Sequence, residues 1–241
     1  MTEAETFKRA LAGEDLAFAP IVWEELPTLV HQGGTGWWLE PATAQRLVVD
    51  AANVAGADAM FVRYDRRAVS RVAGHGRDGD EALELLTETE DICAGYELCV
   101  RLSGSAPFAV IAALPGVALL EAAFGASERE VAEDALVDLA RGFLEAGAHA
   151  LAVVDEDHED VTNSVRRAAS VGDFFGRPAL GISLAGDDFA GWVEGAKSCQ
   201  VVATSSEGDW PTISRGIVTT RGDISGLWDA SRLRAVGSRR P

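Results

Sequence analysis

Residues 128–154 read EREVAEDALVDLARGFLEAGAHALAVV, a helix followed directly by an apolar strand. Apolar side chains recur at helical spacing through residue 144, and Ser127 with Glu130 three positions later forms a capping box that starts a helix. Gly147 ends this helix, and residues 148–154 (AHALAVV) are apolar apart from His149, as is typical of a strand buried on both faces. The segment therefore predicts one unit of a parallel sheet covered by helices.

The same unit recurs along the chain. Further strands are predicted at residues 18–23 (FAPIVW), 57–64, 108–113, 178–184, 200–204 and 217–219. Further helices are predicted at residues 41–55, from residue 81, at 162–169 and at 189–196. Seven or eight strands alternating with helices favour a single α/β domain over residues 1–231, a closed (β/α)8 TIM barrel, with an open doubly wound sheet as the competing fold. Residues 232–241 are expected to form a basic, disordered tail.

Composition restricts the class of partner. The chain has 241 residues, 21 basic and 38 acidic side chains and a net charge of −17. Such acidity argues against binding to nucleic acid or to an anionic membrane, both of which attract basic surfaces. Three cysteines without a C-x-x-C motif, and the lack of a basic-then-apolar leader, favour a cytoplasmic protein. We therefore expect a small-molecule ligand, no nucleic acid and no membrane.

Several stretches carry a family resemblance. They are residues 7–13 with the strand that follows them, 56–74, 143–157, 182–186 and 221–226. In these stretches the chain resembles the uroporphyrinogen decarboxylase superfamily, which also holds corrinoid-dependent methyltransferases. The resemblance implies a TIM barrel with its site at the C-terminal ends of the strands, and a homodimer. Its best single element is the second strand, which leads to Asp65.

The sequence differs from this family at the positions where the family binds substrate or metal. Residues 23–38 contain two glutamates and no arginine, whereas the decarboxylases clamp substrate carboxylates there with arginines. The methyltransferase branch binds zinc through His-x-Cys, and the matching positions are Ser183 and Ala185. These two side chains do not replace an imidazole and a thiolate as zinc ligands. Asp65 is thus the family residue that carries over.

Asp65 is the first catalytic candidate. It follows an apolar strand and has Arg63 and Arg66 nearby in sequence. A carboxylate in a barrel mouth can hold a developing positive charge or act as a general base, and an ordinary surface ion pair is the alternative. Asp155 and Glu24, which also follow predicted strands, complete the catalytic set, and Arg63 is expected to bind substrate.

An acidic run, DEDHED, occupies residues 155–160 directly after a predicted strand. Carboxylate and imidazole groups in this run can bind a divalent metal ion, and a solvated loop that caps the next helix is the alternative. Asp155 lies nearest the strand and is expected to point into the barrel. We predict no cofactor, with a divalent metal at Asp155 and His158 as the open alternative.

The loop after the first strand carries His31, Trp37 and Trp38 among several glycines. These residues suit a lid over an apolar or flat substrate. An equally favoured alternative is a packed loop whose tryptophans cover the barrel rim. Ser183 and Asp223, at the ends of late strands, complete the predicted substrate-binding set.

Three functions follow from these residues and from the resemblance. The first is a cofactor-independent lyase, similar to a decarboxylase, that uses Asp65 on a small molecule. The second is a methyltransferase-like enzyme, which the departures at Ser183 and Ala185 disfavour. The third is a non-catalytic accessory protein that binds a tetrapyrrole or corrinoid, since a fold alone does not settle function.

Overall fold

The structure of the chain is a computed structural model. It describes residues 2–23, 26–30, 36–63, 69, 79–124, 129–155, 158–183, 190–195, 199–204 and 213–220. Several sequence predictions lie outside the described residues, namely Glu24, His31, Asp65, Asp223, the capping residue Ser127, the tail at 232–241 and the side chains of Arg63 and His158.

Helices and strands alternate through most of the chain. The helices are α1 (Glu3–Leu11), α2 (Leu26–Leu29), α3 (Pro41–Ala55), α4 (Gly79–Glu88), α5 (Glu90–Ser103), α6 (Val117–Phe124), α7 (Arg129–Glu145) and α8 (His158–Phe175). The strands are β1 (Leu16–Ala19), β2 (Ala59–Arg63), β3 (Ala109–Pro115), β4 (Ala150–Asp155), β5 (Ala179–Ser183), β6 (Ala190–Val193), β7 (Gln200–Thr204) and β8 (Gly216–Thr220). No helix within these described ranges has both the length and the apolar character that crossing a membrane demands.

The eight strands form one sheet in the order β1-β8-β7-β6-β5-β4-β3-β2. Neighbouring strands are parallel except at β6, which runs antiparallel to both β5 and β7. The first strand pairs with the last, and β2 lies at the other edge of the sheet and contacts β1, so the sheet curls into a nearly closed barrel. The predicted TIM barrel is confirmed, and the open doubly wound sheet, whose first strand would lie in its interior, is wrong.

The predicted helix at residues 189–196 is also wrong, because Ala190–Val193 form β6. Gly191 and Gly195 disfavour a helix in so short a segment, whereas Trp192 and Val193 favour a strand. The Trp192 ring packs so closely over Gly181 of β5 that a Cβ on Gly181 would overlap the ring. This packing makes β6 a short antiparallel strand instead of the expected helix.

Alternate strand residues face the inside of the barrel, and many of them are alanine. The inward side chains form one buried cluster, while the outward ones pack with the helices in another. Phe7 and Ala10 of α1 belong to the inner cluster, so α1 closes the N-terminal end of the barrel. Among the described residues, this leaves the opposite end, where the strands finish, as the open side of the barrel.

A side chain helps to close the barrel between β1 and β2, whose described residues form no strand ladder with each other. Asp58, which is 1% exposed, precedes β2. Its carboxylate Oδ2 accepts a hydrogen bond from the Phe18 N–H at 2.8 Å. The Asp58 N–H donates in return to the Phe18 carbonyl at 2.9 Å. This reciprocal pair joins the two edges of the sheet.

Candidate functional site

Polar side chains at the C-terminal strand ends define the candidate site, which we call the mouth. The described members are Asp155 of β4, Ser183 of β5, and Thr219 and Thr220 of β8. All four are buried, with between 0% and 4% of their surface exposed. Active sites of TIM barrels lie at this end because the loops that follow the strands converge there.

Asp155 lies against the turn between β3 and α6. Its carboxylate is so close to Gly116, the residue before α6, that a Cβ on that glycine would overlap it. The N-terminus of α6 therefore adjoins a carboxylate, a placement that the helix dipole favours. Next to it, the Ser164 hydroxyl of α8 accepts a hydrogen bond from the Val117 N–H at 3.0 Å, which ties α8 to the same turn.

The orientation of Asp155 corrects the expectation that it points into the barrel. Val154 belongs to the inner cluster and Val153 to the outer one. Since side chains alternate along a strand, Asp155 continues the outward face, toward the β3–α6 turn. The residue lies at the rim of the mouth and not over its centre, and its catalytic role stays a prediction.

Asp155 and Ser183 occupy paired positions on neighbouring parallel strands. The sequence predicted each as a site residue, and the register of β4 and β5 brings the two together. Ser183 also pairs with Ala190 of β6 in the antiparallel direction. A carboxylate and a hydroxyl therefore stand side by side on one sector of the mouth.

Trp37 and Trp38 lie in the 3-10 turn Trp37–Leu39 and have packing roles. The Trp37 ring is 5% exposed, and its centroid is 4.8 Å from that of Trp23. The Trp38 indole N–H donates to Asp91 Oδ1 at 2.8 Å, which anchors the turn to α5. These contacts agree with tryptophans that cover the rim; binding of substrate by Trp37 and Trp38 stays a prediction.

Two threonines at the end of β8, Thr219 and Thr220, are not among the residues predicted from the sequence. The Thr220 hydroxyl accepts from the Ile21 N–H at 2.7 Å and donates to the Ile21 carbonyl at 3.0 Å. Thr219 lies two residues after Ile217 of the inner cluster, so it faces the barrel interior. Its buried hydroxyl has no hydrogen-bond partner within the described part of the chain. The sequence signal that could have indicated them is a pair of hydroxyl residues at the end of an apolar strand.

Thr219→Val is expected to raise the free energy of unfolding by about 1 kcal/mol, because it removes a buried hydroxyl that lacks a partner. Thr220→Val is the matched control, one residue away, and should lower the free energy by about 2 kcal/mol, because it leaves the backbone of Ile21 unpaired. Urea denaturation of both variants measures the two effects. Equal destabilisation by the two changes would mean that the Thr219 hydroxyl is satisfied in the folded protein.

The two buried cysteines, Cys99 and Cys199, are not suited to act as nucleophiles or metal ligands. Burial raises the pKa of Cys99 to about 12 and that of Cys199 to about 11. Both therefore remain protonated thiols near neutral pH, whereas the thiolate is the reactive and metal-binding form. The side chains described in the structure include no group of three His, Cys, Asp or Glu placed to hold a metal ion. A divalent metal at Asp155 and His158 stays a prediction.

His149 is not a candidate base for the mouth. It directly precedes β4 and so lies at the N-terminal end of the barrel. Its Nδ1 accepts a hydrogen bond from the Val110 N–H at 3.1 Å, which requires the neutral imidazole. Burial, and then the positive charge of Arg177, lower the pKa of His149.

A solved structure of a methyltransferase from Methanosarcina mazei is similar to this chain. The TM-score is 0.74 at 12% sequence identity, and the match covers 100% of this chain and 98% of that one. The two proteins share a fold over their full length. Neither a family sequence profile nor a curated protein matches the sequence.

Proposed function

We propose that this chain is a methyltransferase-like enzyme that binds a small methyl acceptor at the mouth, where Asp155 supplies a negative charge. The observation that carries the proposal is the buried carboxylate of Asp155 beside Ser183, on paired positions at the ends of β4 and β5. The full-length likeness in fold to a methyltransferase supports methyl transfer over decarboxylation. Decarboxylation through Asp65 stays a prediction, because no described contact bears on it.

The residues that the structure describes do not form a zinc-thiolate centre. Ser183 ends β5 as a buried hydroxyl, and a neutral hydroxyl is not among the usual protein ligands of zinc. Cys99 and Cys199 lie in the core, and burial raises the pKa of both thiols. The proposed reaction therefore assigns no role to zinc.

The proposed reaction needs a group that removes a proton. When a methyl group moves to an alcohol, amine or thiol, the bond from the donor to the methyl group breaks and a bond from the acceptor to that methyl group forms. The acceptor then loses its proton, and in our proposal the Asp155 carboxylate takes it. Ser183, its neighbour on β5, can hydrogen-bond to the same acceptor atom.

Asp155→Asn is expected to lower the rate of methyl transfer by about 100-fold or more, because an amide cannot accept the proton. The assay supplies methylcobalamin as the donor probe and a panel of thiols, amines and alcohols as acceptors, and detects the methylated product by mass.

Asp173→Asn is the matched control, because Asp173 is an exposed carboxylate near the far end of α8. Its rate should equal that of the wild type, and circular dichroism should show that both variants are folded. A wild-type rate in Asp155→Asn would exclude Asp155 from the reaction. A wild type that transfers a methyl group to none of the acceptors would contradict methyl transfer from this donor.

A further inference from the structure

The hydroxyl of Thr219 is a buried polar group at the mouth. Thr219 lies next to the last residue of β8, and 0% of its surface is exposed. Its Oγ1 has no hydrogen-bond partner among the residues that the structure describes. Burying a hydroxyl without a partner costs free energy, and folded proteins pair nearly all such groups with protein, water or a ligand. The hydroxyl therefore indicates a partner that the described residues do not supply.

The position of Thr219 on β8 places this hydroxyl on the inner side of the mouth. Ile217, two residues earlier, belongs to the inner cluster, and Val218 belongs to the outer one. Because side chains alternate along a strand, Thr219 faces the barrel interior. The hydroxyl of the neighbouring Thr220, in contrast, bonds to the backbone of Ile21 and so already has a structural role.

The residues beside Thr219 are small and uncharged. Its register partners are Ala19 of β1 and Ala203 of β7, and Ala203 is partly exposed. Alanine leaves more room than the bulky branched residues that usually fill a barrel. The described strands β1, β7 and β8 contain no charged side chain. A ligand group that reaches Thr219 therefore meets one neutral hydroxyl in apolar surroundings, which suits an uncharged polar atom.

Thr219 and Asp155 lie on opposite sides of the mouth. In the sheet order, β8 and β4 are four strands apart in either direction round the eight-stranded barrel. Strands about 4.8 Å apart and tilted by about 36° give a barrel roughly 15 Å across between backbones. A molecule that contacts both residues therefore carries polar atoms at the two ends of an extended body.

We propose that Thr219 determines specificity for the methyl acceptor, because its hydroxyl hydrogen-bonds to an uncharged polar atom at the end of that molecule remote from Asp155. This proposal rests on the proposed function, since it takes the molecule bound at the mouth to be the acceptor. The acceptor then has the group to be methylated beside Asp155 and a neutral hydroxyl, carbonyl or amide beside β8. Its body between the two ends is apolar, like the inner cluster beneath the mouth. Thr219 is a binding residue and takes no part in proton transfer.

Ligand-observed NMR titration of the full chain tests this role with two probes, octanediol with a hydroxyl at each end and the corresponding primary alcohol, octanol. The probes differ by one terminal hydroxyl. In Thr219→Val, the ratio of their two dissociation constants should shift against the diol by about 10-fold relative to the wild type. Thr219→Ser keeps the hydroxyl and should keep the wild-type ratio. Thr6→Val is the matched control, the same substitution on α1 at the closed end of the barrel, and should also keep that ratio.

In the methyl-transfer assay, Thr219→Val should raise the KM for the diol by about 10-fold and leave kcat within about two-fold, as loss of a binding contact does. An unchanged ratio of dissociation constants in Thr219→Val would overturn the proposal, and so would a wild type that binds neither probe. A hydroxyl that is paired only with bound water gives the unchanged ratio. The titration needs no methyl donor. A ratio that depends on Thr219 in a protein without methyl-transfer activity would therefore contradict the proposed function alone and keep Thr219 as a ligand-binding residue.

Discussion

Asp58→Ala is expected to lower the free energy of unfolding by about 3 kcal/mol and the Tm by roughly 10 °C. The carboxylate accepts the Phe18 N–H at 2.8 Å in a site with 1% exposure. Its removal leaves that N–H buried and unpaired at the seam between β1 and β2, where the described strands form no ladder. Neither an alanine side chain nor bulk water can replace the lost acceptor.

A second substitution separates the effect of losing the hydrogen-bond acceptor at Asp58 from the effect of losing its charge. Asp58→Asn keeps an oxygen for the Phe18 N–H but loses the charge, so we expect about half of the destabilisation. Asp15→Ala is the matched control: the Asp15 carboxylate also accepts a backbone N–H, from Leu16 at 2.9 Å, but it is partly exposed to water. It should cost less than about 1 kcal/mol. Equal effects of the Asp15 and Asp58 changes, measured by denaturation, would show that Asp58 does not hold the seam.

Gly116→Ala is expected to lower the free energy of unfolding by about 2 to 3 kcal/mol and to abolish the activity that depends on Asp155. The new Cβ would overlap the Asp155 carboxylate, so either the side chain or the β3–α6 turn must move. Gly116 is not among the glycines with positive φ. The backbone therefore accepts alanine, and the conflict with Asp155 accounts for the whole effect.

A double-mutant cycle isolates that conflict. In an Asp155→Ala background, Gly116→Ala should cost about 1 kcal/mol or less, since the overlapping carboxylate is gone. Gly104→Ala serves as the control glycine, because its Cβ would meet nothing nearer than the Val100 carbonyl at 3.5 Å, and it should be close to neutral. If the cost of Gly116→Ala is the same in both backgrounds, the contact between the glycine and the carboxylate is not the cause.

Local patterns predicted most elements because their physical causes are local. The helix at Pro41–Ala55 was predicted to the residue; proline at its first position and Gly56, with φ +62°, at its end are signals carried by adjacent residues. The strand at Gln200–Thr204 was also predicted to the residue. In contrast, β6 was mistaken for a helix because its strand form depends on the packing of Trp192 over Gly181, a contact between two strands.

The candidate site was foreseen only in part. Asp155 and Ser183 were chosen singly because each follows or ends a predicted strand, and their adjacency depends on strand register. Asp155 was expected to point into the barrel, but its place in the alternation turns its side chain toward Gly116. Thr219 and Thr220 were missed because their roles depend on tertiary structure. Thr219 matters because it lies on the inner face of β8, and Thr220 because its hydroxyl hydrogen-bonds to the backbone of Ile21.

Periodicity and composition predicted an alternating α/β barrel and a strongly acidic chain, because these properties depend on neighbouring residues or on sums over the chain. Tertiary structure was needed for the closure at Asp58, whose partner Phe18 is 40 positions away, and for the pairing of Asp155 with Ser183. It was needed as well for the position of Thr219 across the mouth from Asp155. Contacts between distant segments form only when the whole sheet closes, and a pattern of adjacent residues does not encode their geometry.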